Sequence, residues 1–138
     1  MTSEVELVVA SDTRWLQLIR GVVEKFSARA GLDPKATQEV VLAVDEAVAN
    51  VIKHSYKGAP DQKISLRCEN VEGDVEVEVR DQGEPFDPAE RELPPPDELR
   101  VGGRGVYLIR SVMDEVEYRR DGSTNCVRMR KRHQTHVS

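Results

Sequence analysis

Val5, Leu7 and Val9 alternate with Glu4, Glu6 and Val8, the period of a strand with one buried face, which predicts a strand over residues 4 to 10. Ser11 or Asp12 then caps a helix that carries Trp15, Leu18, Ile19, Val22, Val23 and Phe26 at helical spacing and stops near Gly31. Asp33-Pro34 restarts a helix at once. Val40, Val44, Ala47, Val48, Val51 and Ile52 recur every three or four residues, so this helix is expected to run from 34 to about 55. After Gly58-Ala59-Pro60 the period returns to two, with Ile64, Leu66 and Cys68, then Val75, Val77 and Val79 beyond Glu72-Gly73-Asp74. That is an antiparallel hairpin with one wet face.

From Asp81 to Gly105 the chain shows little periodicity and carries Pro94-Pro95-Pro96, so it reads as a long loop, and loops of that length are usually functional. A short helix over about 104 to 114 precedes strands at 115 to 120 and 124 to 131, joined at Asp121-Gly122. Residues 133 to 138 are expected to be a flexible tail on one domain spanning 1 to 132. The order β-α-α-β-β-loop-α-β-β implies a two-layer α+β sandwich, with a mixed, mainly antiparallel sheet and its helices on one face.

Composition narrows the function. A chain of 138 residues with 38% hydrophobic residues supports one core, and a formal net charge of −5 leaves no basic stripe for direct nucleic-acid binding. Cys68 and Cys126 sit in separate strands with no Cys or His at ligand spacing, and read as buried free thiols. No leader pattern and no membrane span is visible, so the expected location is cytoplasmic.

Three motifs carry candidate chemistry. Glu46, Asn50 and His54 stand four residues apart, drifting about 40° per step, and share one helix face beside the small residues Ala43, Ala47 and Ala49. An exposed polar stripe has the same spacing. Asn50 offers a neutral carbonyl oxygen suited to Mg²⁺, and Glu46 one turn away suits a general base. Asp81-Gln82-Gly83 ends a strand and is followed by Phe86. There a carboxylate accepts the exocyclic amine of adenine and repels the carbonyl of guanine, Gly83 admits the backbone to the base edge, and Phe86 covers the ring or anchors the loop. Asp-x-Gly is also a common turn string. Gly102-Gly103-Arg104-Gly105 opens the third helix, where N-terminal amides suit a polyphosphate; a flexible hinge would look alike. Neither the P-loop string nor the dinucleotide fingerprint fits.

In order, E-x-x-x-N-x-x-x-H, D-x-G-x-x-F and G-x-G-x-x-L resemble the three nucleotide-binding boxes of the gyrase, heat-shock chaperone, histidine kinase and MutL ATPase superfamily, which has the Bergerat-type histidine kinase-like fold. Residues 44 to 50, 103 to 109 and Met113-Asp114 look most like the anti-sigma-factor serine kinases of the RsbW and SpoIIAB type. The resemblance implies ATP and Mg²⁺, with Glu46 as catalytic base, Asn50 as Mg²⁺ ligand, Asp81 as the adenine contact, and Gly83, Gly103 and Gly105 as nucleotide-binding backbone. It implies an ATP lid between the second and third boxes. His54 is read first as a structural residue, and Arg100 and Arg104 receive no role.

The resemblance also implies the partners: a STAS-type anti-anti-sigma protein that is phosphorylated, and a sigma factor held in the other state, with a homodimer left open. A nucleotide-gated binding module that transfers no phosphate is the second reading, against which Glu46 and Asn50 together argue. A histidine kinase would need a preceding phosphoacceptor hairpin, and a gyrase-class ATPase a transducer domain.

Overall fold

A computed structural model describes residues 4–85 and 104–133, with side chains from 108 onward in the second stretch. The expected element order holds throughout these residues. Strand β1 (Glu4–Ala10) leads through a 3₁₀ turn (Thr13–Trp15) into α1 (Leu16–Arg29) and α2 (Pro34–Asn50), which a π-turn (Val51–Ser55) extends. Strands β2 (Lys63–Val71) and β3 (Asp74–Asp81), helix α3 (Arg104–Val112), and strands β4 (Glu115–Asp121) and β5 (Thr124–Lys131) follow. The five strands lie in the order β1-β2-β3-β5-β4, and every described pairing is antiparallel.

Local chemistry accounts for most boundaries. Asp12, not Ser11, caps the first helical turn, accepting the Arg14 N–H at 2.9 Å. Ser11 is buried and ties β1 to the turn before β2, donating to the Ala59 carbonyl and accepting the Gln62 N–H at 3.0 Å. Asp33 caps α2 through the Ala36 N–H at 2.7 Å, with Pro34 in the first turn, where its missing N–H costs nothing. The β2–β3 hairpin turns on Glu72 and Gly73, both at positive φ (54° and 91°), as a two-residue turn of matching twist requires. Beyond β5 the His133 N–H donates to Asp74 at 2.7 Å, and residues 134–138 lie outside the described part.

All three helices pack on one face of the sheet. Helix α2 lies between α1 and α3, and its Val40, Ala43, Val44, Ala47 and Val48 meet Ile64, Leu66, Val77, Val79 and Met129 in the core. Helix α1 buries Ile19, Val23 and Ser27 rather than the whole stripe expected. Trp15 and Leu18 are exposed, because the α-helix starts only at Leu16 and its i, i+4 face begins at Ile19. Arg20 grips Asp45 with two hydrogen bonds, at 2.7 and 3.2 Å, and so fixes α1 against α2.

The other face of the sheet carries charge. Glu6, Arg67, Glu78, Arg128 and Glu117 stand side by side across the five strands in register, alternating in sign. Glu78 is buried beneath Arg67 and Arg80, each 2.6 Å away, and also accepts the Cys126 thiol at 3.0 Å. Burial opposes its charge, yet these donors and the two arginines outweigh it and hold the Glu78 carboxyl below its ordinary value. Both cysteines are buried and free. Burial pushes the Cys68 thiol up to about 12, and burial with the Glu78 carboxylate pushes Cys126 up to about 11.

Candidate functional site

The π-turn shapes one end of the site. Beyond Asn50 the backbone widens, and the Tyr56 N–H reaches back five residues to the Val51 carbonyl at 2.9 Å. Glu46 and Asn50 therefore keep their common α-helical face, while His54 sits in the wider turn and leaves that phase. The turn ends at Ser55, whose carbonyl accepts the Glu84 N–H at 2.8 Å and straps the segment after β3 to the helix layer. That strap explains Gly83. A Cβ there would lie 2.3 Å from the Ser55 oxygen and 2.6 Å from its carbonyl carbon, an overlap that backbone cannot relieve cheaply.

Between the end of α2 and the ends of β3, β4 and β5 lies a cleft of ≈ 390 Å³, its open mouth included. Ala47, Asn50, Val51, Val79, Asp81 and Asn125 are among its lining residues, so helix and sheet contribute to one space. Ala47 keeps the helix side shallow. Asp81 is 4% exposed, and its Oδ1 accepts two donors, the Gly83 N–H and the Asn125 amide, each at 2.9 Å. The first contact closes an Asx turn, so the Asp-x-Gly string is a turn and a cleft wall together. Oδ2 takes no hydrogen bond from any described residue. The Asn50 side chain likewise has no partner among the described residues, and neither does the half-buried Glu46 one turn earlier, which stands outside the cleft lining. Asp45, next in sequence, is committed to Arg20 and turns away.

Tyr56 braces the neighbouring wall. Its hydroxyl donates to the Lys63 carbonyl at 2.5 Å and accepts the Gln82 N–H at 2.9 Å, pinning the start of β2 to the end of β3. Burial raises its pKa.

The structure thus brings Asn50, Asp81 and Gly83 together. Gly105 falls in the first turn of α3, whereas Phe86, Gly103, Arg100 and the expected lid lie outside the described residues. Sequence reading missed Asn125, Tyr56 and Ser55. Only Asn125 left a signal, as a polar residue at a core-facing step of the Asn125, Val127, Met129 alternation. Among the described residues no cluster of three or more His, Cys, Asp or Glu could hold a metal, and no helix is long and apolar enough to cross a membrane.

Comparison with known proteins bears on the fold. The family model of the histidine kinase-like ATPase domain matches residues 9–131. The serine-protein kinase RsbW of Listeria innocua is 30% identical, over 92% of this chain and 86% of that protein. That of Bacillus subtilis is 31% identical over 81% and 75%, and that of Staphylococcus aureus 32% identical over 87% and 82%. A solved structure of RsbU and RsbW domains from Mycobacterium tuberculosis superposes with a TM-score of 0.70 at 14% identity, covering 94% of this chain and 32% of that one. The histidine kinase domain of a blue-light activated kinase from Erythrobacter litoralis gives 0.55 at 16%, covering 89% and 61%.

Proposed function

Because the chain belongs to the histidine kinase-like ATPase family, and within it to the RsbW serine-protein kinases, we propose that it transfers the terminal phosphoryl group of ATP to a serine or threonine of a small STAS-type anti-anti-sigma protein. In its other state it holds a sigma factor. The observation that carries the nucleotide reading is that Asp81 and Asn50 line one cleft, and that one Asp81 oxygen and the Asn50 side chain have no partner among the described residues. Unsatisfied polar groups at a cleft wall are the ones a ligand completes.

Asp81 Oδ2 accepts the adenine amine. The carbonyl oxygen of Asn50, one hard neutral ligand, suits an ion that keeps most of its shell for water and phosphate oxygens. Mg²⁺, when bound, offsets the charge that grows on the phosphates during transfer. Glu46 takes the proton of the acceptor hydroxyl on its carboxylate as that oxygen attacks, and ADP leaves. Gly105 frees the backbone in the first turn of α3 to meet phosphate, and Gly103 and Phe86, outside the described residues, complete the nucleotide-binding set that the resemblance implies.

The test is incubation with γ-labelled ATP and purified STAS proteins encoded in the same genome. Transfer of label to a serine or threonine of one of them is expected. Nucleotide binding with a stable partner complex and no transfer would leave a binding module instead.

A further inference from the structure

Asn125 stands opposite Asp81 in the β3–β5 register, at a core-facing position, and is 7% exposed. An amide placed there costs free energy unless each of its atoms is satisfied. Its Oδ1 accepts Arg120 Nη1 at 2.7 Å. A guanidinium has donors only, so Arg120 dictates which way the amide turns. The NH₂ end must then face Asp81, where it donates to Oδ1 at 2.9 Å and to the Glu84 carbonyl at 2.8 Å, with the Gly83 carbonyl at 3.4 Å. With the Gly83 N–H on the same oxygen, Oδ1 is occupied from two sides, while Oδ2 of this cleft-lining residue takes no hydrogen bond from any described residue.

We propose that Arg120 and Asn125 form a positioning relay that holds the Asp81 carboxylate in one orientation and thereby sets the purine preference of the cleft. The inference rests on the reading of Asp81 as the adenine contact. A carboxylate held this way welcomes a 6-amino group and repels a 6-carbonyl. Released from Asn125, it turns about its own bond and discriminates less. The relay also holds the Gly83–Glu84 backbone by two carbonyls, so the same amide steadies the chain where it leaves β3.

The sharp comparison is Asn125→Thr against Asn125→Val in the full chain, since the two side chains share a shape and differ by a hydroxyl donor. ATP and GTP affinities are measured by calorimetry or competition on each, beside a thermal midpoint. Asn125→Val is expected to lower the ATP-to-GTP preference by about tenfold, and Asn125→Thr to keep it within about threefold of wild type. Arg120→Met, at an exposed site, is expected to lower the preference with little change in midpoint. Equal preferences for the Thr and Val variants would make Asn125 a packing residue and overturn the relay. Wild-type protein that does not distinguish ATP from GTP would remove the Asp81 reading itself, and that result is visible before any variant is made.

Discussion

The α-carbon of Gly83 lies so close to Ser55 that a methyl group on it would sit 2.3 Å from the Ser55 carbonyl oxygen. Gly83→Ala must therefore part the Glu84 N–H from the Ser55 carbonyl and draw the Gly83 N–H off Asp81. Overpacking of this kind typically costs about 1 to 3 kcal/mol. Urea unfolding should show that loss, and ATP affinity should fall with it. Unchanged stability and affinity would mean that the strap does not position the carboxylate.

Glu46 and Asn50 should fail in different ways. Glu46→Ala is expected to keep Mg-nucleotide affinity and lose about 10²- to 10⁴-fold in phosphoryl transfer, the usual worth of a general base. Asn50→Ala should weaken Mg-nucleotide binding as well. Single-turnover transfer and calorimetry on the same preparations separate the two, and a Glu46→Ala protein that transfers at the wild-type rate would end its assignment as base.

Glu78 should lend the fold acid sensitivity. Its folded pKa lies below the ordinary 4.5, so its stabilisation is complete above that value and disappears as pH falls through the lower folded pKa. Glu78→Gln is expected to cost about 1 to 3 kcal/mol near neutrality, since Arg67, Arg80 and Cys126 lose a charged acceptor. The gap between wild type and variant should then close as pH falls below 4.5 and through the lower folded pKa. Urea midpoints across that range are the measurement, and a constant gap would assign the loss to packing.

Lys131 joins β5, α3 and α2 through one buried ammonium. It donates to the Val112 carbonyl at the end of α3 at 2.6 Å and pairs with Glu39 of α2 at 3.3 Å. Lys131→Met keeps the stem and removes the charge, with an expected loss of about 1 to 3 kcal/mol. Hydrogen exchange should locate the loss in the last turn of α3. Uniform loosening of the whole sheet would contradict that placement.

Much of this was legible because hydrophobic period and turn chemistry agree along the chain. Val75, Val77 and Val79 alternate where β3 is, and Asp33-Pro34 marks the start of α2 by two independent signals. Helix α1 was read less well: Trp15 and Leu18 fit a 3.6-residue stripe, and only tertiary packing shows that the buried line is Ile19, Val23 and Ser27. Asn50 and Asp81 stand out in the sequence through their motifs, and both line one cleft. The π-turn left no trace in composition, since Val51–Ser55 fits either helix, and with it went the displacement of His54. Asn125 escaped because its partners, Asp81 and Arg120, are set by strand register, which no single strand records.

The alternating row of Glu6, Arg67, Glu78, Arg128 and Glu117 has a consequence for inheritance. Each arginine of the row serves more than one acid: Arg67 meets Glu78 at 2.6 Å and Glu4 at 3.8 Å, and Arg128 meets Glu76 at 2.7 Å and Glu117 at 3.1 Å. Reversing one sign there strands its neighbours, and the strain spreads sideways rather than into the core. Substitutions on this face are therefore expected to arrive in compensating pairs across strands, and the face drifts as a lattice whose members change together.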